Sequence, residues 1–264
     1  MAQVINTNIM SLDSQRNLNK TNGAMSTALQ RLSSGLRINS AMDDAAGLAV
    51  AQKMDSQVRG MTVAMRNASD GVSYAQTADT ALATVSDQLQ RMRELATQSL
   101  NGTLSDTDRS KIDTEYSALQ DEANRIQGAA TLNGLSVFST FSFQVGANAG
   151  DTITGTFSSA NVTGTNVSTT AGASTALASI DAWLGSVATN RASIGGTQSR
   201  LNFTVSYLEG ARENQSAAKS RIMDTDFAQE TANLTRAQIL QQAGTAMVSQ
   251  ANSLPNNVLT LLKG

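Results

Sequence analysis

Few residues in this chain are equipped for acid–base or covalent chemistry. It contains no histidine and no cysteine, which removes the usual base near neutral pH, the usual imidazole metal ligand, the thiolate nucleophile and the disulfide. Hydrolysis by a Ser-His-Asp relay or at a zinc site is excluded on that ground. The adjacent carboxylates Asp43 and Asp44 are of the type that could divide acid and base roles. They lie, however, in a turn between two helical stretches. There, negative charge offsets a helix dipole, an effect of a few tenths to about 1 kcal/mol, instead of converging on a cleft. The sequence therefore assigns no catalytic residue, no cofactor-binding residue and no metal ligand, and an enzyme is the least favoured class.

The elements that would position such residues are themselves the informative feature. Aromatic residues make up 4% of the 264 residues, with one tryptophan, Trp183, and one proline, Pro255. That composition favours thin helix-on-helix layers over a thick globular core. The net charge of -2 is spread along the chain without blocks, which argues against a nucleic-acid partner. No run of about 18 apolar residues exists, so no membrane span is expected. The N-terminus has no basic segment followed by an apolar stretch and cleavage site, so the chain is expected either to stay in the cell or to leave by a route that needs no cleaved signal.

Heptad spacing dominates. One series runs Met54, Met61, Ala68, Ala75, Leu82, Leu89 and Ala96; another runs Ile180, Val187, Ile194, Leu201, Leu208 and, after Gln215, Ile222. Such arms pack as an antiparallel bundle with both chain ends at one pole. The fold class read from this is mainly α, a long antiparallel helical bundle or coiled coil with a small β-hairpin region. The first long helix is expected over residues 44–100, roughly 85 Å at 1.5 Å per residue, capped by Ser40 with Asp43. Its companion positions Val58, Met65 and Val72 give way to Asp79, Ser86 and Arg93, so the seam is expected to narrow. Ser105 with Asp108 should cap a further helix carrying Ile112, Tyr116, Leu119, Ala123 and Ile126. Alternation of Val137, Phe141, Phe143 and Val145, and then of Ile153 and Phe157, around Gly146 and Gly150 reads as a hairpin. Residues 158–178 read as a loop or irregular cap, either a passive connector or a solvent-facing site for sugars, before an arm that starts near Ser179.

The two ends differ from the arms. The N-terminal stripe is Ile5, Ile9, Leu12, Leu18, Met25, Leu29, Leu32 and Leu36, with only Asp13, Arg16 and Lys20 charged before Arg31. The C-terminal stripe places Ala237, Gly244, Ala251 and Val258 on one heptad position and Leu240, Met247, Leu254 and Leu261 on the other, with Arg236 the sole charge from Thr231 to Leu262. Pro255 should bend or fray the last turns. Helices so thin at the seam and so weakly polar behind it are marginal as an isolated pair, which implies ordering by self-association. Where different patches meet and the rotation does not close, the product is an open helical filament.

At this point the residues resemble a known family. Leu32 to Met54, LSSGLRINSAMDDAAGLAVAQKM, and Met223 to Asn252, MDTDFAQETANLTRAQILQQAGTAMVSQAN, are similar to bacterial flagellin, and Phe143 to Gly150, FQVGANAG, resembles its hairpin. The resemblance implies a short form, with the outer domains reduced to the stretch near Ser136 to Ala178 and with Met42 where a basic residue is common. It implies a discontinuous inner-tube domain of residues 1–43 and 224–264, a rod domain of 44–135 and 179–223, and the hairpin and loop of 136–178. Assembly would use Ile5, Ile9, Leu12, Leu18, Met25, Leu29, Leu32, Leu36, Leu240, Met247, Ala251, Leu254, Val258 and Leu261. The rod core would use Met54, Met61, Leu82, Leu89, Ile180, Val187, Ile194, Leu201 and Leu208. The implied function is a homopolymeric motility filament outside the cell, with no cofactor. Its implied partners are an export chaperone, the type III export apparatus, the filament cap and hook-associated proteins. The resemblance further implies a vertebrate Toll-like receptor reading Arg91, Leu95 and Glu115, whereas on the sequence alone Arg91, Arg93 and Glu94 are ordinary solvated charges on a helix face. The alternatives are a hook-filament junction protein of related architecture and a cytoplasmic coiled-coil scaffold.

Overall fold

The computed structural model describes the backbone of residues 7–263 and the side chains of residues 7–253. Ile5 lies outside the described residues, and the side chains of Leu254, Pro255, Val258 and Leu261 lie outside the described set. Packing divides the chain into two units, Met1–Ser56 with Gln215–Gly264, and Gln57–Asn214. The division falls inside two long helices, α2 (Ala45–Ser99) and α4 (Thr170–Met223), each of which contributes to both units.

The terminal unit contains α1 (Ile9–Ser34) and α5 (Phe227–Lys263). Asn8 caps α1 by accepting the Ser11 N–H at 3.0 Å, and Gly35 ends it in the left-handed conformation, φ 70°. At the start of α2 the cap differs from the one expected. Asp44 accepts the Gly47 N–H at 2.8 Å, while the Asp43 carboxylate gathers the Asn39 and Ser40 N–H groups and the Ser40 hydroxyl. Two consecutive carboxylates can each hold a different turn, so Ser40 becomes a donor to Asp43 and not the helix cap. Those hydrogen bonds, the Ser40 N–H first, hold the Asp43 carboxyl below its ordinary value.

In the rod unit, α2 and α4 run antiparallel beside α3 (Asp106–Ala129). Leu82, Leu89, Ile180, Val187, Ile194, Leu201 and Leu208 are buried; Met61, and Met54 in the terminal unit, are half-buried. The α2 seam widens where narrowing is expected: Ala78, Val85, Met92 and Ser99 are buried, with Ala81 and Leu95 added where α3 packs. The buried companions stand three residues after each core position, as Ala64 already does, and the positions four residues after are at most half-buried. The displaced Asp79 and Arg93 sit at the rim, paired with Arg191 at 2.7 Å and with Asp181 at 2.9 Å.

Two hairpins follow α3. The first, β1 (Thr131–Leu132) with β2 (Leu135–Ser136), turns through Asn133 at φ 52° and Gly134 at φ 76°. Asn-Gly is the standard signal for a two-residue turn of this hand. The expected hairpin is β3 (Thr140–Gln144) with β4 (Thr152–Thr156), Phe143 facing Ile153. It lies directly on α2: a Cβ added at Gly60 would come within 2.7 Å of the Ala147 Cβ, and Asn67 Nδ2 donates to the Gln144 carbonyl at 3.0 Å.

Residues 158–169 do not form a passive loop. Ala160, Val162 and Val167 are buried, and side chains of α3 bind the peptide groups of this strap. Gln127 Oε1 accepts the Ala160 N–H at 2.6 Å; Asn124 both donates to the Val162 carbonyl at 2.7 Å and accepts its N–H at 3.3 Å; Asp113 accepts the Val167 N–H at 2.6 Å. Helix α4 then begins at Thr170, earlier than expected. The Thr169 hydroxyl accepts the Gly172 N–H at 3.0 Å, and buried Ala173 extends the Ile180 series by one further heptad step.

Candidate functional site: the paired terminal helices

Helices α1 and α5 meet antiparallel along a narrow seam. Ser11 and Ala28 are buried from one side and Glu230, Ala237 and Ala251 from the other, with Leu18, Met25 and Leu32 half-buried between them. Small residues bring the backbones close: a Cβ added at Gly244 would sit 3.2 Å from Leu18 Cδ1. Register is set by polar contacts at both ends and the middle. Asn8 Nδ2 donates to the Ala251 carbonyl at 2.7 Å, Ser11 Oγ to Asn252 Oδ1 at 2.6 Å and Gln241 Nε2 to Asn22 Oδ1 at 3.0 Å, while Arg31 approaches Glu230 at 3.9 Å. Beyond α1, the Leu36 strand-like bridge to Asp224 and the Arg37 N–H to the Met223 carbonyl at 2.6 Å continue the pairing.

A seam in which Ala, Gly and Ser alternate with half-buried Leu18, Met25, Leu32, Leu234 and Val248 buries limited apolar area, and several large apolar side chains lie outside it. Ile9 is 65% exposed and Met247 60%; Leu12, Leu29 and Leu240 are also exposed. Leu36 is half-buried. The second heptad position of α5 was expected at Leu240 and Met247, but Leu234, Gln241 and Val248 occupy it. Gln241 reaches Asn22 across the seam, and this turns Leu240 and Met247 to the flank. Met10 and Ile239 are exposed as well; the signal for them in the sequence is an apolar residue directly adjacent to the stripe. Ile9, Met10, Leu18, Leu240, Met247 and Ala251 line a groove of about 640 Å³ between the two helices. Exposed apolar patches of this kind mark protein interaction sites.

Asp43 and Asp44 are occupied as turn and cap, and among the described residues no group of three or more acidic, His or Cys side chains is placed to hold a metal. Among the same residues, no helix is long and apolar enough to cross a membrane. The residues Arg91, Leu95 and Glu115 do not form one surface. Arg91 bonds Glu94 at 2.9 Å and Glu115 at 2.8 Å, partners that raise its guanidinium above its ordinary value, Glu94 most. Leu95 is 2% exposed, inside the rod core, because α3 covers the flank of α2 that the sequence leaves open.

Residues 5–142 match the model for the bacterial flagellin N-terminal helical region and residues 177–262 that for the bacterial flagellin C-terminal helical region. The chain belongs to the bacterial flagellin family. The flagellin of Halalkalibacterium halodurans is 40% identical over an alignment covering 98% of this chain and 100% of that protein. The flagellar filament 31.3 kDa core protein of Treponema maltophilum is likewise 40% identical over 98% of this chain and 100% of its own. Among solved structures, the crystal structure of Bacillus cereus flagellin superposes with TM-score 0.51 at 32% identity, covering 54% of this chain and 88% of that one. As a flagellin, the chain is a structural subunit of the flagellar filament.

Proposed function

We propose that this flagellin polymerises through its paired terminal helices, with residues 1–43 and 224–264 as the inner tube, 44–135 and 179–223 as the surrounding shell, and 136–178 carried on that shell. The observation that supports the reading is the mismatch on α1 and α5: the fully buried seam positions are small residues such as Ala28, Ala237 and Ala251, while Ile9, Met10, Leu12, Leu240 and Met247 face solvent. Contact with sister copies would remove these side chains from water, each worth about 1.5 to 3 kcal/mol when fully buried. The product is an extracellular motility filament, reached through a type III export apparatus with an export chaperone, and bounded by a filament cap and hook-associated proteins. A vertebrate Toll-like receptor would engage the rod through the exposed Arg91 and Glu115, with Leu95 beneath them as support. Electron microscopy of the full chain beside a version lacking residues 1–39 and 224–264 tests the assembly reading. Long tubes from the first and none from the second support it; tubes from both overturn it.

A further inference from the structure

We propose that a basic groove between α1 and α5 receives a carboxylate from a second copy of the chain, and that Asp13 of that copy supplies it. The inference rests on the reading that the terminal helices form the polymer contact, and it names the chemistry of one such contact. Charge is scarce on these helices: α1 carries Asp13, Arg16, Lys20 and Arg31, and α5 carries Glu230, Arg236 and Lys263. Three of the cations, Lys20, Arg31 and Arg236, line a single groove of about 460 Å³ together with Glu230. Glu230 is turned inward, 8% exposed, and its nearest cation is Arg31 at 3.9 Å. One inward carboxylate, with Asp43 acting on Arg31 from the turn beyond α1, stands against three cations and leaves the groove net positive.

The groove's own bonding is incomplete. Among the described residues Lys20 and Arg236 have no ion pair; Arg236 Nη1 donates only to the Asn233 amide at 3.3 Å. Arg31 Nε is buried without an acceptor. An N–H withdrawn from water with no acceptor is unfavourable, and unneutralised like charges around one groove repel. A carboxylate entering the groove lowers that charge, accepting from the exposed Arg236 guanidinium and Lys20 ammonium; the buried Arg31 Nε lies out of its reach. The donor of that carboxylate follows from the same census. Asp13 is the one exposed carboxylate on α1 and α5, its side chain 62% accessible and its sole ion pair a 4.0 Å contact with exposed Arg16. Seven residues separate Asp13 from Lys20, about 10 Å along the helix, so the Asp13 carboxylate and the basic groove are different places on one surface. A contact between unlike patches is heterologous, the kind that extends an open polymer.

The test uses the full chain, with Asp13→Lys and Arg236→Glu made separately. The critical concentration for polymerisation is measured by sedimentation, and monomer helix content by circular dichroism. Each reversal is expected to raise the critical concentration roughly tenfold. An equimolar mixture of the two is expected to return to within about twofold of the unmodified chain, because each reversed charge then meets the other. Should a reversal lower the helix content, Asp13→Asn and Arg236→Gln replace it, with about a threefold rise expected for each and no further rise in the double variant. Unchanged critical concentrations, or a mixture that stays as weak as its components, overturn the proposal. Loss of assembly in Leu240→Gln, Met247→Gln with unaffected charge variants sinks this contact alone; indifference to all of these changes sinks the polymer reading as well.

Discussion

The double substitution Leu240→Gln, Met247→Gln separates a side chain that holds the monomer together from one that waits for a neighbour. Leu240 is 51% exposed and Met247 60%, so about half of each side chain already lies in water before assembly. At about 1.5 to 3 kcal/mol for complete burial, what remains to be gained by covering them is about 1 kcal/mol each, or about 2 kcal/mol per subunit. Each added subunit makes its contacts once, and every 1.4 kcal/mol is tenfold in affinity, so the critical concentration should rise roughly 30-fold. Glutamine keeps a helix propensity close to those of leucine and methionine, and the small seam residues Ala237, Gly244 and Ala251 are untouched. Helix content and thermal unfolding of the monomer should therefore stay within error. Sedimentation over a concentration series, with circular dichroism on the supernatant, reads both quantities. A critical concentration shifted less than threefold, or a monomer that loses helix, would refute the assignment of these two residues to the intermolecular face.

Leu82→Ala, at a fully buried position of the rod, should lower rod stability by about 2.7–5 kcal/mol, measured by denaturant unfolding. Ser105→Ala removes the hydroxyl that accepts the Asp108 N–H at 3.3 Å and should cost about 1 kcal/mol through loss of the α3 cap, seen as a lower thermal midpoint. Asp43 and Asp108 both have carboxyls held below 3.8, by the Ser40 N–H and by the Ser105 hydroxyl respectively. A carboxyl depressed in the folded state adds stability that is complete above its unfolded value and is lost as pH falls through the folded one. Urea midpoints should therefore be level near neutrality and fall below about pH 4, a fall that Asp108→Asn reduces. Gly134→Ala, at φ 76°, should destabilise by about 1 kcal/mol, whereas Gly185→Ala, where an added Cβ meets nothing within 4 Å, should stabilise α4 by up to about 1 kcal/mol.

Much of the architecture was legible because period is a strong signal over long helices. The Ile180 to Leu208 series marks residues that are all buried, and the alternation around Phe143 and Ile153 marks the two paired strands. Other features were hidden for identifiable reasons. A companion position four residues after each core residue misses the buried one three residues after it, and so Asp79 and Arg93 lie at the rim of a seam that Ala78 and Met92 occupy. On α5 Leu240 and Met247 offer the apolar pattern, yet Leu234, Gln241 and Val248 take the seam position, with the Gln241 amide crossing to Asn22. Val162 and Val167 are isolated apolar residues in a Ser/Thr-rich run. Their burial depends on Asn124 and Asp113, nearly 40 and 54 residues earlier, and no local pattern carries that information.

The strap on α3 is gripped by its amide backbone. Asn124, Gln127 and Asp113 serve there as a surrogate neighbouring strand, supplying with side chains the hydrogen bonds a sheet would supply with peptides. Grip of that kind is blind to most of what the held segment displays. Outward residues such as Asn161 and Thr163 are free to change identity at little energetic consequence, while the three clasping side chains are not. The part of this molecule with the plainest composition is thus the part whose outward lettering can be rewritten most freely without disturbing the fold beneath.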